Sequence, residues 1–340
     1  MNTGRKWFAR FAWFALAFNL PVILWGAYVR ISFSGDGCGA HWPFCNGQML
    51  PRQMAAPMAI EFVHRMMTSV DTLIVIALCI WAFRAFPRRH GVRLYATLSL
   101  IFLFIEALLG AGLVLFRYVA HDQSAGRAIY LSAHLTNTML LLGALTVTAL
   151  LATRNREHAS FGSMPGSFAV ALAVTVFVSI TGAVTALGDT LFPASSIAAG
   201  ISQDWSSESS MLLRLRVVHP AIAVAGAIYL IFLSWRVLRC TGTEEMKAAG
   251  RRVFSLTILQ VAAGAVNLGL LAPLSMQMIH LLIADVLWIA VVLMVTEVTA
   301  TESIRHGAEA AAGGGDMELA IGLERRPTER GSSARHSSAS

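Results

Sequence analysis

The chain has 340 residues, of which 56% are hydrophobic and only 13% are charged. A composition this apolar over this length excludes an ordinary soluble globular protein and indicates a polytopic membrane protein. The formal net charge of +7 comes mainly from Lys and Arg in loops that we assign to one side of the membrane, so no nucleic-acid partner is needed to explain it.

Eight stretches of the sequence are long and apolar enough to cross a membrane. A helix of about 20 residues covers the roughly 30 Å of hydrocarbon in a bilayer. Most of the 26 Lys and Arg residues fall in alternate loops, so the positive-inside rule predicts that both termini are cytoplasmic. We predict an all-α integral membrane protein with spans at residues 11–31, 59–83, 94–116, 128–152, 167–187, 212–235, 253–272 and 276–298.

The loop after the first span carries two cysteines on the predicted external side. It reads SGDGCGAHWPFCNGQMLP, and Cys38 and Cys45 are seven residues apart in it. A disulfide fits the oxidising external side, and a zinc site formed by Cys38, His41 and Cys45 is the alternative, although no fourth ligand is evident. The corresponding loop of the second half of the chain has no cysteine.

The second span begins with the unusually polar segment IEFVHRMMTSVD. Glu61 and His64 are three residues apart and share a helix face, which places a carboxyl group beside whatever His64 binds. This carboxyl group is a candidate general base or proton acceptor. A purely structural ion pair between Glu61 and Arg65 at i+4 is the alternative.

Three further acidic residues lie within predicted spans, at Asp71, Glu106 and Asp285. An acid that faced lipid would cost about 2.5 to 3.5 kcal/mol at the centre of a span, so we expect all three to face the interior. We interpret them as structural residues that form hydrogen bonds between helices.

An internal repeat relates the two halves of the chain. The segment GAYVRISFSGDG from Gly26 aligns with GAVTALGDTLFP from Gly182, and EFVHRMM aligns with RVVHPAI, which pairs His64 with His219. Each copy contains four spans, so both copies enter the membrane in the same direction, as in a parallel repeat. We predict a cytoplasmic N-terminus, two four-helix bundles joined by a linker, and a disordered cytoplasmic tail, at residues 1–10, 11–152, 153–166, 167–298 and 299–340.

Four of the ten histidines occupy equivalent places within the predicted spans: His64, His134, His219 and His280. They lie near the starts of the spans that run inward, and therefore at a similar depth toward the external face. One such histidine could be a packing residue, but two matched pairs favour metal ligation. A four-helix bundle with inward-facing histidines is suited to haem, and the absence of a C-x-x-C-H motif excludes covalent c-type attachment.

The place of Glu61 is taken by Arg216 in the second copy. A guanidinium group near the mouth of a bundle is a suitable counter-charge for haem propionates, and we predict this role for Arg65 and Arg216. The asymmetry indicates that the second copy holds a haem permanently, whereas the first copy carries out chemistry.

The motifs GAYVR, SGDGCGAHWPFCNG and EFVHR, which occur in that order, resemble the heme A synthase family over about residues 10–300. The resemblance implies water-dependent oxidation of a methyl group of haem O to the formyl group of haem A, for cytochrome oxidase assembly. It also implies roles for individual residues: a catalytic carboxylate at Glu61, substrate haem O between His64 and His134, a haem b cofactor ligated by His219 and His280, and a disulfide between Cys38 and Cys45.

The resemblance further implies where the protein works and what it meets. We expect a multi-pass protein of the cytoplasmic (inner) membrane of a bacterium, surrounded by lipid. Its expected partners are haem O, a haem O synthase and an electron acceptor such as a quinone.

Two other functions share some of these features. A bis-histidine dihaem cytochrome b would need the four histidines, but it would not need Glu61 in one copy only. A transporter with a parallel repeat usually has helices broken at the membrane midplane. The interrupting residues Pro21, Pro220 and Pro273 lie near span ends instead.

Overall fold

The computed structural model describes residues 3–159, 161–206 and 211–324. Eight of its helices are long and apolar enough to cross a membrane, which confirms the prediction of an all-α membrane protein with eight spans. A short helix, α6, lies between the fifth and sixth spans and was not predicted. The helices are α1 (Thr3–Ile31), α2 (Ala56–Ala85), α3 (Gly91–Leu115), α4 (Ala125–Arg154), α5 (Gly166–Leu191), α6 (Ile197–Asp204), α7 (Met211–Arg239), α8 (Glu244–Gly269) and α9 (Leu274–Glu324).

Polar side chains determine where several helices begin. The hydroxyl of Ser124 accepts a hydrogen bond of 3.2 Å from the backbone amide of Arg127 at the start of α4. At the start of α8, the hydroxyl of Thr243 accepts one of 3.2 Å from the amide of Met246. Helix α8 therefore begins at Glu244, well before the predicted span at residue 253, because a cap and an acidic first turn stabilise helix outside the apolar segment.

Helix α9 extends beyond the predicted end of the last span. The candidate span within it is Leu274–Thr301, close to the predicted span at 276–298, and the helix continues to Glu324. The added segment includes GAEAAA, and alanine and glutamate favour helix even where no apolar face requires it. Residues 325–340 of the predicted tail lie outside the described residues.

Each half of the chain forms a closed ring of four helices. In the first half α1 contacts α2, α2 contacts α3, α3 contacts α4, and α4 returns to α1. In the second half α5, α7, α8 and α9 make the same cycle of contacts. These contacts are the ones that a repeat of one four-helix unit requires, while the relation of the halves by an axis along the membrane normal stays a prediction.

The two bundles meet along α4 and α9, the last helix of each. In the most apolar part of α4, 78% of the residues are buried, whereas in most of the other spans about a third or fewer are. Two side-chain contacts join these helices: the indole of Trp288 donates to the carbonyl of Met139 at 2.7 Å, and Arg154 pairs with Glu297 at 3.1 Å. The outer helices expose large apolar side chains, as expected for surfaces that face lipid.

Candidate functional site

Two of the four intramembrane histidines contact a glycine on the first helix of their own bundle. A Cβ atom added to Gly26 of α1 would lie 2.9 Å from Cε1 of His64 on α2. In the second bundle, a Cβ atom on Gly182 of α5 would lie 3.0 Å from Cε1 of His219 on α7. The first distance is shorter than real Cβ contacts and the second is tighter than most of them, so glycine at both places lets the imidazole approach the neighbouring helix without displacement.

The other two histidines have the same relation to the third helix of each bundle. A Cβ atom on Gly110 of α3 would lie 3.5 Å from Nε2 of His134 on α4. A Cβ atom on Gly264 of α8 would lie 3.0 Å from Cε1 of His280 on α9. All four rings therefore point from the second and fourth helices of a bundle toward a glycine of an adjacent helix, at equivalent places in both halves.

The hydrogen-bond partners of the rings differ between the halves. In the first half, Nδ1 of His134 lies 2.7 Å from Oε1 of Glu106 on α3. In the second half, Nε2 of His280 lies 3.2 Å from the amide nitrogen of Gln260, and Nδ1 of His219 lies 3.0 Å from the hydroxyl of Thr181. One half thus presents a carboxylate to its imidazole pair, and the other presents only neutral groups.

The histidine pairs fit the requirements of haem iron. Nδ1 of His64 and Nδ1 of His280 are buried and have no hydrogen-bond partner, which is costly unless a ligand or its surroundings satisfy the ring. His64 interacts electrostatically with His134, and His219 with His280, so the members of each pair lie close to one another across their bundle. The two imidazoles of each four-helix bundle are the residues that would hold a haem iron there.

Glu61 lies one turn before His64 and is held by two donors. Its residue is only 3% exposed. Oε2 accepts a hydrogen bond of 2.8 Å from the backbone amide of Cys38, and Oε1 accepts one of 2.5 Å from Nη2 of Arg65. The ion pair at i+4 is therefore present, but it is only part of the arrangement, because the carboxylate also fixes the external loop.

The external loop of the first half is closed by a disulfide between Cys38 and Cys45, as predicted. The alternative of a zinc site is wrong, because both sulfur atoms belong to this bond. Nη1 of Arg65 donates to three backbone carbonyl oxygens within the loop, among them those of His41 at 2.8 Å and Phe44 at 3.0 Å. The loop, Arg65 and Glu61 thus form one connected unit above the bundle.

Arg216 has an equivalent structural role in the second half. Its Nη2 pairs with Asp204 of α6 at 2.5 Å, and its Nη1 lies 3.4 Å from Asp189 of α5. Further bonds run to the carbonyl oxygens of Phe192 and Gly200. All the guanidinium nitrogens of Arg65 and Arg216 donate to protein oxygens, so propionate binding by either residue stays a prediction and would require some of these contacts to be exchanged.

The other intramembrane acids have different surroundings. Oδ1 of Asp71 accepts a hydrogen bond of 3.0 Å from the amide of Asn19 on α1, which is the interhelical bond that we predicted. Glu106 also bonds to a neighbouring helix, but its partner is the candidate ligand His134. Asp285 is 5% exposed, and its Oδ2 atom is buried without a hydrogen-bond partner.

Two features of the site could not be assigned from the sequence. Arg30, the last residue of the GAYVR motif, reaches across to the second bundle, where it donates to Thr190 at 3.2 Å and to Gln277 at 3.4 Å. Helix α6 supplies Asp204, the closest partner of Arg216. The sequence analysis assigned no role to Arg30, because only the packing of the two bundles identifies its partners.

One family model and several named relatives match this chain. The family model described as cytochrome oxidase assembly protein, COX15-CtaA, matches residues 9–292. A protein of Exiguobacterium sp. named Heme A synthase is 30% identical over 76% of this chain and 83% of its own length. One of Lysinibacillus sphaericus with the same name is 24% identical over 84% of this chain and 92% of its own length.

A longer relative covers nearly the whole chain. A Thermus thermophilus protein named Protoheme IX farnesyltransferase is 39% identical over 88% of this chain, but the match covers 49% of the Thermus protein. The chain therefore spans about half the length of this relative.

Proposed function

Because the chain belongs to the COX15-CtaA family of cytochrome oxidase assembly proteins, we propose that it is a heme A synthase, an oxidoreductase that converts haem O to haem A. One observation carries the proposal: His64 and His134 lie on α2 and α4 of one bundle, each against a glycine of an adjacent helix, and the buried carboxylate of Glu61 is fixed one turn from His64. The relatives named Heme A synthase support it, since two of them match over most of both chains.

The proposed reaction defines what the chain must do. Oxidation of a methyl group to a formyl group takes up one oxygen atom from water and releases protons and electrons in equal numbers. The chain must therefore bind a porphyrin, accept protons near the methyl group and pass electrons on. In this proposal His64 and His134 bind the substrate haem O, and His219 and His280 hold a haem b, which supplies one-electron redox chemistry when bound.

Glu61 is the proposed proton acceptor. Two fixed donors, the amide of Cys38 and the guanidinium of Arg65, hold its carboxylate in one orientation. In the second half Arg216 stands at the equivalent place, and a guanidinium group has no lone pair with which to accept a proton. A proton acceptor at this position is therefore present only in the first of the two halves, an asymmetry that a cytochrome that only transfers electrons would not require.

The proposal extends to location and partners. Both termini are assigned to the cytoplasm on the distribution of Lys and Arg, and the inner membrane of a bacterium is proposed from the resemblance to heme A synthases. A haem O synthase is the proposed source of substrate, and the Thermus relative named Protoheme IX farnesyltransferase supports a close association with that activity. A quinone is a suitable class of electron acceptor for a protein within lipid.

Identification of the bound haems tests this function. The protein is purified from a host that also makes haem O, and its non-covalent haems are extracted and identified by mass. We expect haem b together with haem O, its hydroxylated form or haem A. Haem b alone, in the presence of available haem O, would contradict the proposal and favour a dihaem cytochrome b.

A further inference from the structure

The carboxylate of Glu106 is the centre of a hydrogen-bond network between α3 and α4. Oε1 accepts from Nδ1 of His134 at 2.7 Å and from the hydroxyl of Thr138, and Oε2 accepts from the amide of Asn137 at 2.6 Å. The three donors lie at i, i+3 and i+4 on α4 and so share one helix face. Both carboxylate oxygens are satisfied, although the group lies within a membrane span.

Two of the three partners of Glu106 are buried. Asn137 and Thr138 are each 5% exposed. The amide of Asn137 also donates to the carbonyl of Phe102 at 2.8 Å, and the hydroxyl of Thr138 lies 2.9 Å from the carbonyl of His134. Asn137 is therefore held by a second bond, and the hydroxyl of Thr138 has Glu106 and the carbonyl of His134 as alternative acceptors for its single proton.

The second half lacks every part of this network except the histidine. Gln260 of α8 takes the place of Glu106, since both residues precede the equivalent glycines, Gly264 and Gly110, by four positions. The places of Asn137 and Thr138, three and four residues after the histidine, are taken by Ile283 and Ala284. The carbonyl oxygen of Gln260 is buried without a partner. A network that served helix packing alone would be equally useful in both halves.

We propose that Glu106 is a positioning residue for the first-half haem: it holds His134 with Nδ1–H bonded to the carboxylate and leaves Nε2 free to ligate iron. This inference rests on the proposed binding of haem between His64 and His134. A carboxylate bonded to the remote nitrogen of a ligating histidine fixes its tautomer and raises its basicity. The first-half haem is therefore more strongly bound and has a lower midpoint potential than it would have beside a glutamine.

The test exchanges the residues around His134 and His280 between the two halves. Glu106→Gln is made in the full chain that also carries His219→Ala and His280→Ala, so that only the first-half haem is observed. We expect its affinity for haem to fall about 10-fold to 100-fold, the range found when partners of metal ligands are removed. We also expect the midpoint potential of the bound haem to rise, which loss of a merely structural hydrogen bond would not cause.

A reciprocal variant in the second half keeps the proposal testable if Glu106→Gln does not fold. Gln260→Glu, Ile283→Asn and Ala284→Thr are introduced together in the chain that carries His64→Ala and His134→Ala. Rotation of the His280 ring about its Cβ–Cγ bond brings Nδ1, which has no partner, to the new carboxylate in place of Nε2, and the second-half haem potential should fall. Unchanged potential and affinity in Glu106→Gln would overturn the proposal, and if that variant does not fold, an unchanged potential in the reciprocal variant would do so. A parent chain that binds no haem at His64 and His134 and converts none would overturn the proposed function as well.

Discussion

The two halves of the molecule share one helix arrangement but place different charges around their histidines. The first half has Glu61 one turn from His64 and Glu106 against His134. At the equivalent positions the second half has Arg216 and Gln260. Since the histidines and their facing glycines take equivalent places in both halves, the proposed function attributes the difference between a substrate site and a cofactor site to these few polar residues.

The external loops differ in a related way. The first loop is closed by the Cys38–Cys45 disulfide and supplies a backbone amide to Glu61. The second loop forms α6 and supplies the carboxylate of Asp204 to Arg216. Glu61 in the first half and Arg216 in the second half each fix the loop above their own bundle, but the two side chains have opposite charges.

The largest expected effect comes from removal of the Glu61 carboxylate, which is replaced by Arg216 in the second half. Glu61→Gln should lower the rate of haem O conversion about 100-fold to 10,000-fold, the usual contribution of a general base. Haem b should be retained, because the second half is unchanged. Conversion is measured by extraction and mass identification of haem O and haem A over time.

A matched control for this variant lies on the same helix. Asp71→Asn removes another buried acid of α2 but keeps an oxygen that can accept the bond from Asn19. Its conversion rate should be close to that of the parent. Equal activity of Glu61→Gln and Asp71→Asn would exclude Glu61 from the mechanism.

The assignment of one haem to each half predicts independent losses. His219→Ala should lose haem b and keep the first-half haem, whereas His134→Ala should do the reverse, because each pair spans a single bundle. Haem content per chain, with the haems identified by mass, distinguishes the two. Loss of both haems from either single variant would show that the halves do not bind independently.

The loop comparison predicts a moderate effect. Replacing both Cys38 and Cys45 with serine should destabilise the protein by about 2–3 kcal/mol, as expected for a short closed loop. Conversion should fall but persist, since residue 38 keeps its backbone amide for Glu61. Thermal unfolding in detergent and the conversion rate are measured. Cys79→Ser, at a buried free cysteine, is the control. An equal loss of stability in this control would show that the effect does not come from the disulfide.

The smallest expected effect, a change of stability with pH, concerns the N-terminal caps of α3 and α8, which are the third spans of the two halves. Nδ1 of His90 accepts from the amide of Val92 at 3.2 Å, whereas α8 is capped by Thr243, which does not titrate. Burial of the His90 side chain, followed by the nearby Arg5, lowers its pKa below the ordinary value of 6.5. Protonation therefore favours the unfolded chain, and the stability from this cap, about 1 kcal/mol, is present above pH 6.5 and is lost as the pH falls through the lowered pKa.

The substitution His90→Asn provides the corresponding measurement. Asparagine can cap the helix without titrating in this range, so its stability should fall less than that of the parent between neutral and acidic pH. The midpoint of thermal unfolding is compared for the two proteins at each pH. Parallel curves would show that His90 makes no pH-dependent contribution.

Local sequence signals accounted for most of the fold. Apolar runs of sufficient length predicted the eight spans, and the positions of the histidines within them were correct. Helix α6 was missed because its eight residues have neither the length nor the apolar character of a span. Helix α8 begins before its predicted span and α9 continues after its own, because capping and alanine-rich segments extend helix beyond the hydrophobic signal.

The site was predicted less completely. The disulfide, which the family resemblance implied and for which a zinc site was the alternative, is present, and so is the Glu61–Arg65 ion pair that the sequence offered only as an alternative. Glu106 was interpreted as a structural residue, since nothing near it in the sequence shows that its partner is His134. The carbonyl oxygens that Arg65 binds could not be predicted either, because every residue has a carbonyl group and only the loop conformation directs three of them to one nitrogen.

The sequence by itself determined the number of membrane spans, the equivalent placement of the histidines and the asymmetry between Glu61 and Arg216. These features depend on residue type and on short spacing, which the hydrophobic effect and helix geometry convert directly into structure. Only the tertiary structure decided which groups meet between distant helices, such as Glu106 with His134 and Arg30 with Gln277. The reason is physical: such contacts depend on how whole helices pack, and packing is set by many side chains together.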